Sequence, residues 1–166
     1  VPLAASANDK NLIVLRPITP EDESFLARLY ASTRAEELAL TNWSEEQKAI
    51  FCRHQFDAQT ADYAANYPGA SFQIIERGGA PAGRLLVSRG DKAIHVIDIA
   101  LMPEHRGAGL GTKLLRELQE EAKTAGKPLT IHVERFNPAL RLYERLGFKR
   151  IEEKEVYLLM EWSSYE

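Results

Sequence analysis

The 166-residue chain has a single cysteine, Cys52, which rules out an internal disulfide. Cys52 and His54 lie close together, but no second ligand pair with zinc-like spacing follows, so a metal site is not expected. No serine sits in a G-x-S-x-G elbow and Cys52 has no recognisable nucleophile context, which disfavours a covalent enzyme intermediate. There is no basic excess: 21 Lys and Arg stand against 24 Asp and Glu, a net charge of -3, so nucleic acid is not an expected partner. No apolar run is long enough to span a bilayer and no signal peptide is apparent, so the default expectation is a reducing, cytoplasmic setting without membrane contact. Internal repeats, heptads and low-complexity tracts are also missing, and the length suits one compact domain, expected over residues 11–166. The small, aperiodic stretch 1–10 reads as a flexible tail.

What is present is a run of elements with clear punctuation. An apolar segment at 12–16 stops at Pro17, and Thr19-Pro20-Glu21-Asp22 starts a helix carrying Phe25, Leu26, Leu29 and Tyr30. Ser44-Glu45-Glu46-Gln47 repeats the capping-box pattern ahead of a second helix. Segments 71–77, 83–89 and 93–102 read as short strands joined by hairpin-length breaks. A third helix follows with Leu110, Leu114, Leu115, Leu118 and Ala122 on one stripe, ended by Gly126. Residues 129–134 alternate as a strand, making a parallel β-α-β crossover with the strand before. A last helix is expected from Asn137-Pro138 to Gly147, with Phe148 closing over its end, and strand-like residues fill 149–162. The fold class is therefore α/β (α+β): a mixed, mostly antiparallel central sheet flanked by helices.

The most informative segment is Arg106-Gly107-Ala108-Gly109-Leu110-Gly111-Thr112, placed between a strand and a helix. Unpaired N–H groups in the first helical turn, alternate glycines and the helix dipole together suit an anion, and Arg106 adds charge at the rim. The spacing is neither the dinucleotide fingerprint G-x-G-x-x-G nor a Gly-Lys-Ser/Thr triphosphate loop. Asp98 is a carboxylate in an otherwise apolar strand. It is open to two readings: a hydrogen-bonded tie to a loop, or a base. Glu134, at a strand end, is a second candidate base or simply solvated, and His95 and His132 are relays or half-exposed strand residues. Tyr143 lies on the apolar stripe of its helix, and an Asn-Pro pair at Asn137 is explained by capping.

The run Arg106 to Gly111 resembles the Q/R-x-x-G-x-G/A motif of the GCN5-related N-acetyltransferase (GNAT) family. Asn137-Pro138-Ala139-Leu140-Arg141-Leu142-Tyr143-Glu144-Arg145-Leu146-Gly147-Phe148 is similar to that family's second block, although the asparagine stands closer to the tyrosine than in many members. The resemblance covers residues 94–151 and implies an acyl-coenzyme A N-acyltransferase fold. It also implies acetyl-CoA as cosubstrate and an amine acceptor, a small molecule or a protein amine, attacking the thioester directly. By the same resemblance, Arg106, Gly107, Ala108, Gly109, Leu110, Gly111 and Thr112 hold the pyrophosphate. Ala100, Leu101 and Met102 pair with the pantetheine arm, on a strand splayed from its neighbour. Asn137 touches the cofactor in addition to, or instead of, capping, and Tyr143 protonates the leaving sulfur. Asp98 or Glu134 would then take the amine proton. A catalytically silent acyl-CoA-binding sensor or assembly module is the rival reading. Trp43, Phe51, Phe56, Tyr63 and Tyr67 divide between an acceptor pocket and the core. Edge pairing of the carboxyl-terminal strands is one route to a homodimer.

Overall fold

The computed structural model describes residues 11–165; the tail expected at 1–10 lies outside them. Among the described residues, seven strands form one sheet in the order β1-β2-β3-β4-β5-β7-β6. They are β1 (Ile13–Pro17), β2 (Ser71–Arg77), β3 (Ala80–Arg89), β4 (Ile94–Leu101), β5 (Leu129–Glu134), β6 (Lys149–Glu153) and β7 (Tyr157–Trp162). Accompanying them among the described residues are four α-helices: α1 (Glu23–Ala39), α2 (Glu45–Asn66), α3 (Leu110–Ala125) and α4 (Leu140–Arg145). This is the mixed, mostly antiparallel α+β class that the patterning predicts. The residues group into two compact units: one runs to Leu85 and takes in Ala100–His105, the other holds Leu86–Ile99 and runs on from Arg106.

In the first unit, Phe25, Leu26, Leu29 and Tyr30 of α1 recur at helical spacing and are buried with Cys52 and Phe56 of α2 and Ile74 of β2. Ala100 and Met102 pack against the same cluster. Burial pushes the Cys52 thiol pKa up, so this cysteine stays a core residue, not a nucleophile. Ser44 caps α2 as its sequence predicts: its Oγ accepts from the Gln47 N–H at 3.1 Å, while Gln47 Oε1 accepts from the Ser44 N–H at 2.8 Å. The start of α1 is more elaborate than a simple cap. Residues Pro20–Asp22 form a 3-10 turn, and the buried Asp22 receives two bonds from Arg16, each 2.8 Å, and one from the Thr19 N–H, also 2.8 Å. Arg16 also reaches Glu76 on β2 at 2.9 Å, so one guanidinium ties β1, the turn and β2 together.

The Arg16 hydrogen bonds pull the Asp22 carboxyl down to about 2. Because the folded-state value lies below that of the unfolded chain, the stabilisation is full above about pH 4 and is lost as pH falls through about 2. Asp22→Asn should therefore lower stability at neutral pH by about 2 kcal/mol and abolish that acid-side loss. Urea unfolding of both proteins at pH 7 and pH 3 checks this, and parallel curves for the two would remove Asp22 from the account.

In the second unit, Leu110, Leu114, Leu115, Leu118 and Ala122 are all buried, as the stripe predicts, and Gly126 ends α3 at φ 68°. β5 alternates as expected, with Leu129, Ile131 and Val133 buried. Boundaries shift from the sequence reading: β3, expected at 83–89, begins at Ala80, and β4, expected at 93–102, is Ile94–Leu101. The strand-like stretch 149–162 is two antiparallel strands, β6 and β7, with a register irregularity between Arg150 and Glu152. Regular helix in α4 begins only at Leu140, because Asn137 and Pro138 are spent on the turn before it.

Candidate functional site

β4 and β5 are parallel, joined by the α3 crossover, and their register runs Ile94↔Leu129, His95↔Thr130, Val96↔Ile131. It stops there, although β4 continues to Leu101 and β5 stays paired with β7 through Glu134↔Tyr157. The ladder with β5 therefore covers only the first part of β4, the strand for which the sequence resemblance implies a splay. A strand edge so opened offers main-chain N–H and C=O groups to an extended ligand.

The chain leaves β4 through a short 3-10 turn, Pro103–His105, and enters the glycine turn. Gly107 and Gly109 adopt φ of 77° and 81°, which L-residues with a side chain rarely take, and Gly109 is the N-cap of α3. No atom lies within 4 Å of where a Cβ would stand on either one. The cradle is therefore open at the two positions where a phosphate would need closest approach, and it lies at the positive end of a sixteen-residue helix. Gly111 differs: its φ is ordinary, and a Cβ would meet only Leu142 Cδ2 at 3.8 Å. Arg106, Gly107, Ala108 and Gly109 are exposed, whereas Leu110 is buried as the first core residue of α3 and Gly111 and Thr112 are half-buried. These residues fit a diphosphate on conformational and electrostatic grounds.

Tyr143 is 5% exposed. It is held by the way α4 ends. Phe148 N–H donates to the Tyr143 carbonyl at 3.0 Å and Gly147 N–H to the Glu144 carbonyl at 3.1 Å, with Gly147 at φ 94°; this is a Schellman closure. Its apolar contact is between Phe148 and Tyr143 themselves, rings 5.9 Å apart and edge-on. The buried Gln119 of α3 donates to the Leu146 carbonyl at 2.8 Å and fastens the same helix end to α3. Gln119 was not singled out by sequence reasoning; a glutamine on the margin of an apolar stripe is the signal that could have found it. The phenol pKa is raised well above its ordinary value, first by burial and then by the Asp98 carboxylate. Asp98, half-buried on β4, is thus brought into electrostatic reach of Tyr143.

The remaining candidates lie elsewhere. By the pleat and the β4–β5 register, His95, Thr130, His132 and Glu134 occupy the face opposite to Asp98. His95 Nδ1 shares a 2.8 Å bond with Thr130 Oγ1, and the two histidine rings meet edge-on at 4.9 Å. Burial, then His132, holds the His95 pKa down at about 4, so this ring is neutral at pH 7. Asn137 is exposed, and its side-chain oxygen accepts from the Ala139 N–H at 2.9 Å, the turn-forming use that an Asn-Pro pair suggests. In the first unit, Ala100, Leu101 and Met102 are half-buried at the end of β4. A cavity of about 410 Å³ there is lined by Tyr30, Arg34, Glu37, Phe51 and Gln55 among others. Of the aromatics divided between pocket and core, Phe56 is core, Trp43 and Phe51 stack edge-on at 5.3 Å, and Tyr63 and Tyr67 do so at 6.4 Å. Among the described residues, no group of three or more potential metal ligands converges and no helix is long and apolar enough to cross a membrane.

A mixed sheet opened at its one parallel pair, with a glycine-headed helix in the crossover, is the architecture of an acyltransferase class. The chain belongs to the Acetyltransferase (GNAT) family, whose profile matches residues 34–148. It is 34% identical over 80 residues to a glucosamine 6-phosphate N-acetyltransferase of Trypanosoma brucei brucei, covering 42% of this chain and 54% of that protein. It is 31% identical over 98 residues to a thialysine N-epsilon-acetyltransferase of Mus musculus, covering 52% and 58%. The chain thus spans little more than half the length of these curated relatives. Its fold is similar to that of the PaiA N-acetyltransferase of Thermoplasma acidophilum, solved in complex with coenzyme A. The TM-score is 0.69 at 19% identity, over 92% of this chain and 99% of that one.

Proposed function

We propose that residues 11–166 work as one catalytic domain that transfers an acetyl group from acetyl-CoA to a primary amine by direct attack. The observation that carries this reading is the pair of left-handed glycines heading α3, in a chain of an acetyltransferase family. The coenzyme A bound to the Thermoplasma acidophilum neighbour and the N-acetyltransferase names of the curated relatives support it. Arg106 to Thr112 would receive the pyrophosphate, with α3 supplying N–H groups and dipole. Within the segment Ala100, Leu101 and Met102, the first two would pair with the pantetheine arm through their main chain, while the Met102 N–H is given to the Ala82 carbonyl and its C=O to the His105 N–H. Asn137 keeps its turn-forming role.

In the reaction the amine nitrogen bonds to the thioester carbonyl carbon, the carbon–sulfur bond breaks, and the sulfur leaves with the electron pair. The amine must lose a proton and the thiolate gain one. Asp98 takes the first, directly or through water, and Tyr143 gives the second. Asp98 is preferred to Glu134 because it is the carboxylate that acts on Tyr143, whereas Glu134 lies on the histidine face. The pairing couples the two transfers. While Asp98 is charged it holds the Tyr143 proton in place; once it accepts the amine proton, that restraint is gone and the phenol becomes a better acid.

The test is thiol release from acetyl-CoA with panels of polyamines, amino acids, aminoglycosides and peptide amines. Amine-dependent release is the expected result. Coenzyme A binding without release above background for any acceptor would instead make the chain a silent acyl-CoA-binding module.

A further inference from the structure

Gly83 on β3 is buried, and a Cβ added there would fall onto the Ala100 carbonyl oxygen of β4. It would also lie 3.1 Å from the carbonyl carbon of Ala100 and 3.0 Å from Leu101 Cδ2. In a regular sheet a Cβ stands off the pleat while the neighbouring carbonyl lies in the sheet plane, so the two do not meet. The Ala100–Leu101 peptide is therefore turned out of the plane and laid over Gly83. One residue on, the Met102 N–H donates to the Ala82 carbonyl at 2.8 Å, which pins the strand's exit. Since the β5 register ends at Val96, the course of the last residues of β4 is set from the β3 side.

We infer that Gly83 is a positioning residue for the acyl donor: its missing side chain lets the Ala100–Leu101 peptide take the orientation in which β4 receives the pantetheine arm. This rests on the reading of Ala100 to Met102 as the donor-pairing segment. The Leu101 side chain can swing aside for a new methyl group, but the Ala100 carbonyl is backbone, so Gly83→Ala must move β4 itself.

The experiment compares wild type with Gly83→Ala, with Gly69→Ala, where a Cβ meets nothing within 4 Å, and with Val87→Ala as a core truncation on the same strand. Coenzyme A affinity is measured by calorimetry and the KM values for acetyl-CoA and amine separately. Gly83→Ala should weaken coenzyme A binding by about tenfold or more and raise the acetyl-CoA KM. The amine KM should stay put, Gly69→Ala should match wild type, and Val87→Ala should lose stability without this split. Wild type also allows a measurement independent of any variant's folding: the Gly83 amide resonance should shift on saturation with coenzyme A. An affinity within twofold of wild type in folded Gly83→Ala, or an unmoved Gly83 resonance with coenzyme A bound, overturns the inference alone. Failure of wild type to bind coenzyme A overturns the donor reading and this inference with it.

Discussion

Tyr143→Phe should lower kcat by about a hundredfold or more while leaving coenzyme A affinity within about twofold. The substitution removes one oxygen and keeps the ring that packs on Phe148, so the Schellman closure of α4 has no reason to open. On the proposed mechanism, what is lost is the proton for the departing sulfur. Burial and the Asp98 charge keep that proton on the phenol throughout the neutral range, so the wild-type group is always loaded at working pH. Thiol release under saturating acetyl-CoA reads kcat, and calorimetry reads binding. Equal losses in both would return Tyr143 to a packing role, and unchanged turnover would do the same.

The second large effect lies in the glycine turn, where Gly109 and Gly111 are two apart in sequence but only the first has a positive φ. Gly109→Ala should weaken coenzyme A binding by at least about tenfold and cost about 1–2 kcal/mol of stability. An alanine at φ 81° is strained whether or not a ligand is present, and its methyl group intrudes on the cradle. Gly111→Ala should do the reverse. It stands inside α3 with ordinary φ and only Leu142 at 3.8 Å, so alanine adds about 0.5–1 kcal/mol by its better helix propensity and leaves affinity unchanged. That contrast agrees with the motif, which demands glycine at the first position and accepts alanine at the second. Thermal unfolding with and without coenzyme A separates the two terms. Wild-type affinity in Gly109→Ala would sink the turn as an anion site.

Much of the molecule was legible from local pattern. The stripe on α3, the alternation of β5, the capping box at Ser44 and the glycines at 107 and 109 each follow from interactions within a few residues. Other features needed partners far along the chain, or a choice that local pattern leaves open. The strand-like stretch 149–162 divides into β6 and β7 through their antiparallel pairing, which the pattern along the stretch does not locate. The helix at Asn137 reads too long because an Asn-Pro pair looks the same whether it caps a helix or makes the turn before one.

By itself, the sequence determined which elements form, the family to which the chain belongs, and the presence of a glycine turn ahead of a helix. These depend on periodicity, capping and φ, which are properties of neighbouring residues. Only the tertiary structure decided that Asp98 acts on Tyr143 while Glu134 and the histidines face the other way, that β4 leaves β5 after Val96, and that Ala100 lies over Gly83. Those facts are register and crossing relations between strands and helices far apart in the chain, and a pattern read along one segment carries no information about which partner it will meet.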